Sequence, residues 1–349
     1  MTNPPETHPT ETHPTGSSAS ASQWLRDAMT AMPERDDVSY DAVTARAAEI
    51  LRPAGALARL DEVAAWAAGW QRTSSPAVRK PAALIFAADH GVTAAGVSKY
   101  PTDVTGAMLA AYRAGKSTIT AFAAVAGASV EAIDVGVGRP TGDIRYESAM
   151  SLDRFDAAVA AGRDAVDRLD ADLLVLGEMG IGNTTAAAAV AAALGGGEVA
   201  AWVGRGTGVD DEGLSRKREA VREAVTRVVG VHDPFEVLRE VGGAELVAMA
   251  AAIVAARHRR LPVLIDGYVV TAAALPLATI NAAALDHCLV GHCSSEPGHR
   301  RLLERLGKQP LLDLEMRLGE GSGAMAAVPL VAMACAGITE VPTFGEWFG

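Results

Sequence analysis

The sequence contains few cysteines and few aromatic residues. Aromatic residues make up 5% of its 349 residues, and the only cysteines are Cys288, Cys293 and Cys335. An odd number of cysteines, all far from the amino end, is a poor basis for a disulfide framework. We therefore expect a reducing, cytoplasmic location.

The chain also lacks an excess of positive charge. Lys and Arg together number 31 against 42 Asp and Glu, which gives a formal net charge of -11. Such a charge repels a phosphate backbone rather than attracting it. The composition therefore argues against nucleic acid as a partner.

Targeting and membrane signals are not evident. The first 22 residues have no basic region followed by an apolar one, so they do not resemble a secretory signal. An uncharged apolar stretch from Ala324 to Ile338 contains Pro329 and is shorter than the roughly 18 residues that cross a bilayer. We expect a soluble protein with no membrane partner.

Hydrophobic residues and glycine are abundant. Hydrophobic residues make up 49% of the chain, 35 residues are glycine, and alanine is also frequent. At roughly 150 residues per domain, the length allows one large domain or two modest ones. Close packing of small side chains is common in α/β enzymes.

The amino-terminal region has two parts. Residues 1–22 carry a tandem ETHPT repeat and a Ser/Ala run, which predict a disordered tail because little can be buried. From Trp24 to about Gln71, apolar residues recur at spacings of three and four, which predicts helices.

Beyond residue 80 the pattern changes to short apolar runs that end in a polar residue or glycine and are separated by alanine-rich helical stretches. The runs are Ala83–Ala88, Val130–Ile133, Leu173–Leu176, Val263–Ile265 and Cys288–Val290. Strands buried on both faces and joined by helices indicate a mostly parallel, doubly wound α/β sheet. Ligands of such sheets bind beyond the carboxyl ends of the strands.

The loop after the third run is rich in glycine. It contains Gly180 and Gly182, and either Asn183 or Thr184 can cap the alanine-rich helix that follows. The free N–H groups of that helix end could bind a phosphate or carboxylate. A tight strand–helix turn without a ligand explains the spacing equally well.

Two further segments carry charged or polar candidates. Lys217 follows a second glycine cluster and could contact a phosphate, although the sequence alone favours a solvated helix face. Cysteines and histidines between His287 and His299 lack the spacing of a zinc site, so no metal is expected. Ser294, just past a strand end, is better suited to donate a hydrogen bond to an anion.

For two other loops the sequence pattern does not decide between a structural and a functional role. Glu320 lies between glycines, where a carboxylate is usually an exposed turn residue but becomes a candidate base if the loop folds over a pocket. Asp89 and Tyr100 belong to a loop of mixed polar and aromatic character after the first strand.

At these residues the sequence resembles the nicotinate-nucleotide:dimethylbenzimidazole phosphoribosyltransferase family of cobalamin synthesis. The resemblance spans roughly residues 45 to 335 and rests on several blocks in the family's order. The blocks are RPAGALARLDEVA, ADHGVTAAGVSKYP, GEMGIGNTT, GRGTG, DDEGLSRK, DGYVVTAAAL, HCSSEPGH and RLGEGSGA.

The resemblance implies an organisation as well as a reaction. It implies a large Rossmann-like α/β domain at residues 73–299 that carries the active site, and a smaller helical domain from residues 23–72 and 300–349. It also implies a homodimer. The implied reaction transfers the phosphoribosyl group of nicotinate mononucleotide to 5,6-dimethylbenzimidazole, without a cofactor. Another acceptor base, or a non-catalytic protein that binds the nucleotide or the base, remains an alternative.

The resemblance further implies roles for individual residues. Glu320 is the implied general base. The implied phosphate and ribose contacts, together with the helix-end residues of the glycine loop, are Glu178, Gly180, Gly182, Asn183, Lys217 and Ser294. The implied walls of the base pocket are Met179, Leu318, Tyr100 and Asp89.

Overall fold

The structure is a computed structural model that describes residues 20–349. Most of the predicted tail therefore lies outside the described residues. Six strands occur in the described chain. They are β1 (Pro81–Ala88), β2 (Ser129–Gly136), β3 (Leu173–Met179), β4 (Val263–Ile265), β5 (Cys288–His292) and β6 (Pro310–Leu312). All five predicted strands are present, whereas β6 was not predicted.

The six strands form a single parallel sheet in the order β2-β1-β3-β4-β5-β6. From β1 the chain first adds β2 on one side of β1, and it then adds β3 to β6 in turn on the other side. This arrangement confirms the predicted doubly wound α/β fold. In such sheets the ligand site lies at the carboxyl ends of the strands, near the point where the order reverses.

Both faces of the sheet are covered by apolar residues. Leu84 and Phe86 of β1 face one hydrophobic cluster, whereas Ala83 and Ile85 face the other. Successive side chains of a strand point to opposite faces. The continuous apolar run of β1 therefore reflects a strand that is buried on both sides.

Fourteen helices surround the sheet in the described chain. They are α1 (Ala21–Thr30), α2 (Asp37–Glu49), α3 (Ala58–Gln71), α4 (Asp103–Arg113), α5 (Thr118–Ala126), α6 (Leu152–Asp167), α7 (Asn183–Gly195), α8 (Asp211–Arg227), α9 (Pro234–Val241), α10 (Ala244–His258), α11 (Tyr268–Ile280), α12 (Pro297–Leu306), α13 (Ser322–Thr339) and α14 (Phe344–Phe348). The helices predicted between Trp24 and Gln71 are present. Because α1 begins at Ala21, the last two residues of the predicted tail are helical.

Small residues allow the helices to pack closely. On one face of the sheet α6 lies against α10, and a Cβ atom at Gly162 of α6 would overlap the backbone carbonyl of Ala248. Almost every residue of α10 is buried. The high alanine and glycine content therefore reflects the close approach of helix backbones.

Helix α13 changes one expectation. It runs for 18 residues through Pro329, and its mean hydropathy of 1.7 makes it long and apolar enough to cross a membrane by length and composition. The predicted interruption at Pro329 is therefore wrong. In this structure α13 packs against α3, α5 and β5, and Ala324, Val328 and Val331 lie in the hydrophobic core.

Helices from both ends of the chain share one face of the sheet. Helices α2, α3 and α13 contribute to the same hydrophobic cluster as Ile85 and Val175 of the sheet, whereas α1 packs against α6 and α10 on the other face. The division into a large and a small domain stays a prediction.

Candidate active site

A cleft lies at the carboxyl ends of β3, β4 and β5. It measures about 630 Å³, counting its open mouth. The predicted site residues that line it are Glu178, Met179, Gly180, Asn183, Ser294, Leu318 and Glu320. A larger cleft around Trp66, Trp70 and Lys308 contains none of the predicted site residues.

Glu320 lies on a loop with unusual backbone geometry. Gly319, Glu320 and Gly321 all have left-handed φ angles, of 83°, 65° and 85°. This region is unfavourable for a residue with a side chain, and residues held there cluster at functional sites. A Cβ atom at Gly177 of β3 would overlap the Glu320 carbonyl, so glycine at that position lets the loop lie directly on the sheet.

The Glu320 carboxylate is poorly solvated and lacks a full set of partners. Glu320 is 7% exposed, and its Oε2 atom accepts no hydrogen bond from residues 20–349. Burial raises the pKa of the Glu320 carboxyl, the nearby Tyr112 hydroxyl opposes the rise, and the charge of Asp266 adds to it. The environment therefore strengthens this carboxylate as a base.

Glu178 is a second buried carboxyl group in the cleft. It belongs to β3, where it pairs with Phe86, and its Oε2 accepts a hydrogen bond from the Asn183 amide. Burial, with a further contribution from the charge of Asp266, raises the pKa of Glu178 to about 8, although the Asn183 hydrogen bond opposes the rise. Glu178 therefore carries a proton in much of its population at neutral pH.

The glycine loop leads into α7 as predicted, but with a different cap. Gly182 occupies the N-cap position with φ 95°, and Asn183 is the first residue of the helix. The prediction that Asn183 or Thr184 caps α7 was therefore wrong. The side chain of Asn183 contacts Glu178 instead, which leaves the first N–H groups of α7 without a side-chain cap.

Lys217 is buried rather than solvated. Its side chain is 1% exposed, and Nζ donates a hydrogen bond to the Thr184 hydroxyl at 2.9 Å. A Cβ atom at Gly206 would lie 3.1 Å from Nζ, so the second glycine cluster packs directly over the ammonium group. Burial lowers the pKa of Lys217 to about 8, and the charge of Glu296 opposes this. The predicted solvated helix face is correct for Arg216 and Arg218, which are exposed, but wrong for Lys217.

Ser294 also lines the cleft. It is 6% exposed, its N–H donates to His299 Nδ1 at 2.8 Å, and its hydroxyl accepts from the Glu296 N–H at 3.3 Å. The hydroxyl proton is therefore free to point to a ligand. Among residues 20–349, no group of three or more His, Cys, Asp or Glu side chains could hold a metal ion.

The four predicted base-pocket residues divide between two clefts. Met179 and Leu318 line the cleft that contains Glu320. Asp89 and Tyr100 line a neighbouring cleft next to the ends of β1 and β2. There Asp89 Oδ2 accepts the Gly138 N–H at 2.7 Å, and its buried Oδ1 accepts no hydrogen bond within the described part of the chain.

Among the residues of the cleft and its surroundings that were not predicted as site residues are Tyr112, Asp266 and His292. Tyr112 lies near Glu320, but a tyrosine within an amphipathic helix gives no sequence signal of such a contact. Asp266 ends a predicted strand, which is the position where ligands bind in these folds, so its position was the available signal. His292 had been considered only as a possible zinc ligand.

The chain is similar to known proteins over most of its length. A family model described as Phosphoribosyltransferase matches residues 32–347. A nicotinate-nucleotide–dimethylbenzimidazole phosphoribosyltransferase from Cereibacter sphaeroides is 47% identical over 323 residues, which cover 92% of this chain and 95% of the relative. The protein of the same name from Methylocella silvestris is 48% identical over 323 residues, with 92% and 94% of the two chains covered.

This chain belongs to the nicotinate-nucleotide–dimethylbenzimidazole phosphoribosyltransferase family. The resemblance noted in the sequence is thereby confirmed. A solved member of the family, described as CobT from Thermus thermophilus, superposes with a TM-score of 0.85 at 42% identity. The match covers 89% of this chain and 98% of that structure, so the fold is the family's fold.

Proposed function

We propose that this protein transfers the 5-phosphoribosyl group of nicotinate mononucleotide to 5,6-dimethylbenzimidazole. The products are α-ribazole 5′-phosphate and nicotinate, as needed to assemble the nucleotide loop of cobalamin. The main supporting observation is that one cleft contains the Glu320 carboxylate, whose Oε2 has no partner among residues 20–349, and the Thr184 hydroxyl that accepts from the buried Lys217. Family membership supports the same activity.

The phosphate group would bind at the α7 end of the cleft. Lys217 supplies a positive charge there, and the amino end of α7 adds the positive end of its helix dipole next to Gly180 and Gly182. The N–H groups of Asn183 and Thr185 already donate to the Gly180 and Gly182 carbonyls. Ser294, which also lines the cleft, can donate its hydroxyl proton. Local donors of this kind bind one phosphate in spite of the net charge of -11.

Glu178 fits this site because its proton removes the charge conflict. An ionised carboxylate beside a phosphate would repel it, whereas a protonated carboxyl can donate a hydrogen bond to a ribose or phosphate oxygen. The raised pKa of Glu178, about 8, keeps the proton available near neutral pH. Asn183 holds the carboxyl in place by donating to its other oxygen.

Glu320 would act as the general base. One nitrogen of the benzimidazole attacks C1′ of the ribose while the N–H proton on its other nitrogen passes to the Glu320 carboxylate. The bond from C1′ to the nicotinate nitrogen breaks, and its electron pair neutralises the cationic pyridine ring. Because the leaving group is already activated, one positioned base suffices and no metal or cofactor is required.

Attack occurs on the face of C1′ opposite the leaving group, so a β-nucleotide becomes an α-nucleotide. Most of the catalytic work is to hold two flat rings on opposite sides of one carbon, and the phosphate contacts anchor that arrangement. We propose Met179 and Leu318 as walls for these rings. Asp89 and Tyr100 would complete the base pocket from the neighbouring cleft.

The proposed reaction can be tested with purified protein, nicotinate mononucleotide and dimethylbenzimidazole. We expect release of nicotinate and α-ribazole phosphate. Glu320→Gln should lower kcat by about 100-fold or more, since general base catalysis contributes about 10²–10⁴-fold, while nucleotide binding is retained. Glu315→Gln, on the exposed part of the same segment, is the matched control and should keep the wild-type rate.

Two results would contradict the proposal. A Glu320→Gln variant as active as the wild type would place the base elsewhere. Tight binding of the nucleotide with no product across a range of pH would favour the non-catalytic alternative. Competition among benzimidazoles, purines and phenols in the same assay would identify the preferred acceptor.

We also propose a homodimer and a cytoplasmic location. The apolar side chains of Phe344, Trp347 and Phe348 are 48%, 64% and 75% exposed on α14, which supports a covered face in an assembly. The three cysteines are unpaired and buried, which is typical of a reducing compartment. Light scattering of the wild type and of Trp347→Glu would test the dimer.

A further inference from the structure

The loop that carries Glu320 is held by a residue from another strand. Asp266 follows β4 directly and is 1% exposed. Its Oδ2 accepts the N–H of Gly321 at 3.2 Å, and its Oδ1 accepts the N–H of Ala324 at 2.7 Å. The Asp266 carboxylate therefore caps α13 from outside and fixes the residue immediately after Glu320.

A cap within the loop itself is excluded by packing. The N-cap residue of α13 is Gly321, which has φ 85° and no side chain. A Cβ atom there would lie 3.0 Å from Ile119 and 3.2 Å from the Cα atom of Gly177, closer than ordinary contacts. Because the loop must lie against Gly177, the capping oxygen has to come from elsewhere.

His292 packs beside Asp266 from the next strand, and its ring nitrogens make no hydrogen bond within residues 20–349. It is 2% exposed, and its Nε2 lies 3.4 Å from Asp266 Oδ1. A Cβ atom at Gly323 would overlap the His292 ring, so the imidazole packs directly on the first turn of α13. The Asp266 side chain is thus confined between β5 and the start of α13.

We infer that Asp266, packed beside His292, is a positioning residue for Glu320: its carboxylate holds the left-handed loop in the conformation that aims Glu320 into the cleft. The inference rests on the proposed function, because Glu320 must be the base for its position to matter. Asp266 itself acts through Glu320.

The negative charge of Asp266 also changes the pKa of Glu320, and this effect can be measured. The ionisable groups around Glu320 are Tyr112 from α4, Glu178 from β3 and Asp266 after β4, together with three residues that line the same cleft, His292, Glu296 and Arg317. Asp266 raises the pKa of Glu320, whereas Tyr112 lowers it. Removing the Asp266 charge should therefore lower the pKa of Glu320 and make it a weaker base.

The experiment compares kcat/KM as a function of pH for the wild type and Asp266→Asn. We expect kcat to fall about 10- to 100-fold, because small displacements of a catalytic group have effects of this size. We also expect the acidic limb of the profile, where Glu320 becomes protonated, to move to lower pH. Asp266→Glu, which keeps the charge but displaces the oxygens, should lose rate without moving the limb.

A control separates this role from helix capping alone. Asp36→Asn removes a capping carboxylate from α2, far from the cleft, and should leave kcat and the pH profile unchanged. If Asp266→Asn does not fold, Asp266→Ser retains a capping oxygen without charge and should show the same shift of the limb. A folded neutral variant that keeps the wild-type kcat, or one whose acidic limb does not move, would overturn the inference.

Failure of the inference is distinguishable from failure of the proposed function. If the wild type forms product and Glu320→Gln does not, Glu320 remains the proposed base, whatever the activity of Asp266→Asn. If the wild type yields no product, the proposed function fails before Asp266 is tested.

Discussion

His90 Nε2 lies 2.6 Å from Glu245 Oε1, and both side chains are wholly buried beneath the glycine loop. His90 follows β1, and a Cβ atom at Gly180 would lie 3.1 Å from its Nε2. The pair therefore forms the floor on which the Gly180 backbone rests. Both remaining polar atoms, His90 Nδ1 and Glu245 Oε2, have no hydrogen-bond partner in the described chain.

We predict that Glu245→Ala destabilises the protein strongly. Removal of Glu245 leaves the buried His90 Nε2 without its hydrogen-bond partner, which costs about 1–3 kcal/mol before the lost packing is counted. The free energy of unfolding in urea measures this. Glu131→Ala, which breaks an exposed pair with Arg168, is the control and should cost at most about 1 kcal/mol. Equal losses of unfolding free energy in the two variants would show that the buried His90–Glu245 pair stabilises the protein no more than the exposed pair does.

Lys217 leads to a prediction about pH. Because burial lowers the pKa of Lys217 to about 8, the free protein loses this charge as the pH rises through that value. Nicotinate mononucleotide should therefore bind more weakly at about pH 9.5 than at about pH 7.5, and binding at the higher pH should take up a proton. Calorimetry in buffers of different ionisation enthalpy measures both the affinity and the proton.

Lys217→Met is the matched variant for this measurement. It should bind the nucleotide about 10- to 100-fold more weakly near neutral pH, since hydrogen bonds to charged groups contribute about 1.5–3 kcal/mol. It should keep only the pH dependence that comes from ionisation of Glu178, whose pKa is also about 8. Arg218→Met, which changes an exposed neighbour, should behave as the wild type. An affinity that is equal at the two pH values in the wild type would remove Lys217 from the phosphate site.

The sequence predicts those parts of the fold that rest on continuous burial. The strand Ala83–Ala88 is visible because every side chain is apolar, and it is buried on both faces in the structure. The strand β6 was missed because it has only three half-buried residues and begins with Pro310 at the edge of the sheet. A strand that short gives no recognisable pattern.

The site is less visible than the fold because it depends on tertiary contacts. Glu178 seemed to lie in a loop because a carboxyl interrupts the apolar run, yet its backbone continues β3 beside β1. Lys217 has exposed arginines on both sides in the sequence, and only the packing of Gly206 over its ammonium group shows that it is buried. The contact between Asp266 and Gly321 joins residues 55 positions apart, and no local pattern indicates it.

The backbone strain at Glu320 leads to a prediction about stability. Glu320 has φ 65°, and it also buries a carboxylate oxygen without a partner. Glu320→Gly should therefore raise the free energy of unfolding by about 1 kcal/mol, because glycine adopts this conformation without a steric penalty, while activity is lost. Glu315→Gly is the control, since Glu315 has φ 55° but is exposed. It should gain a similar stability and remain active. A Glu320→Gly variant that is less stable than the wild type would show that the side chain stabilises the loop instead of straining it.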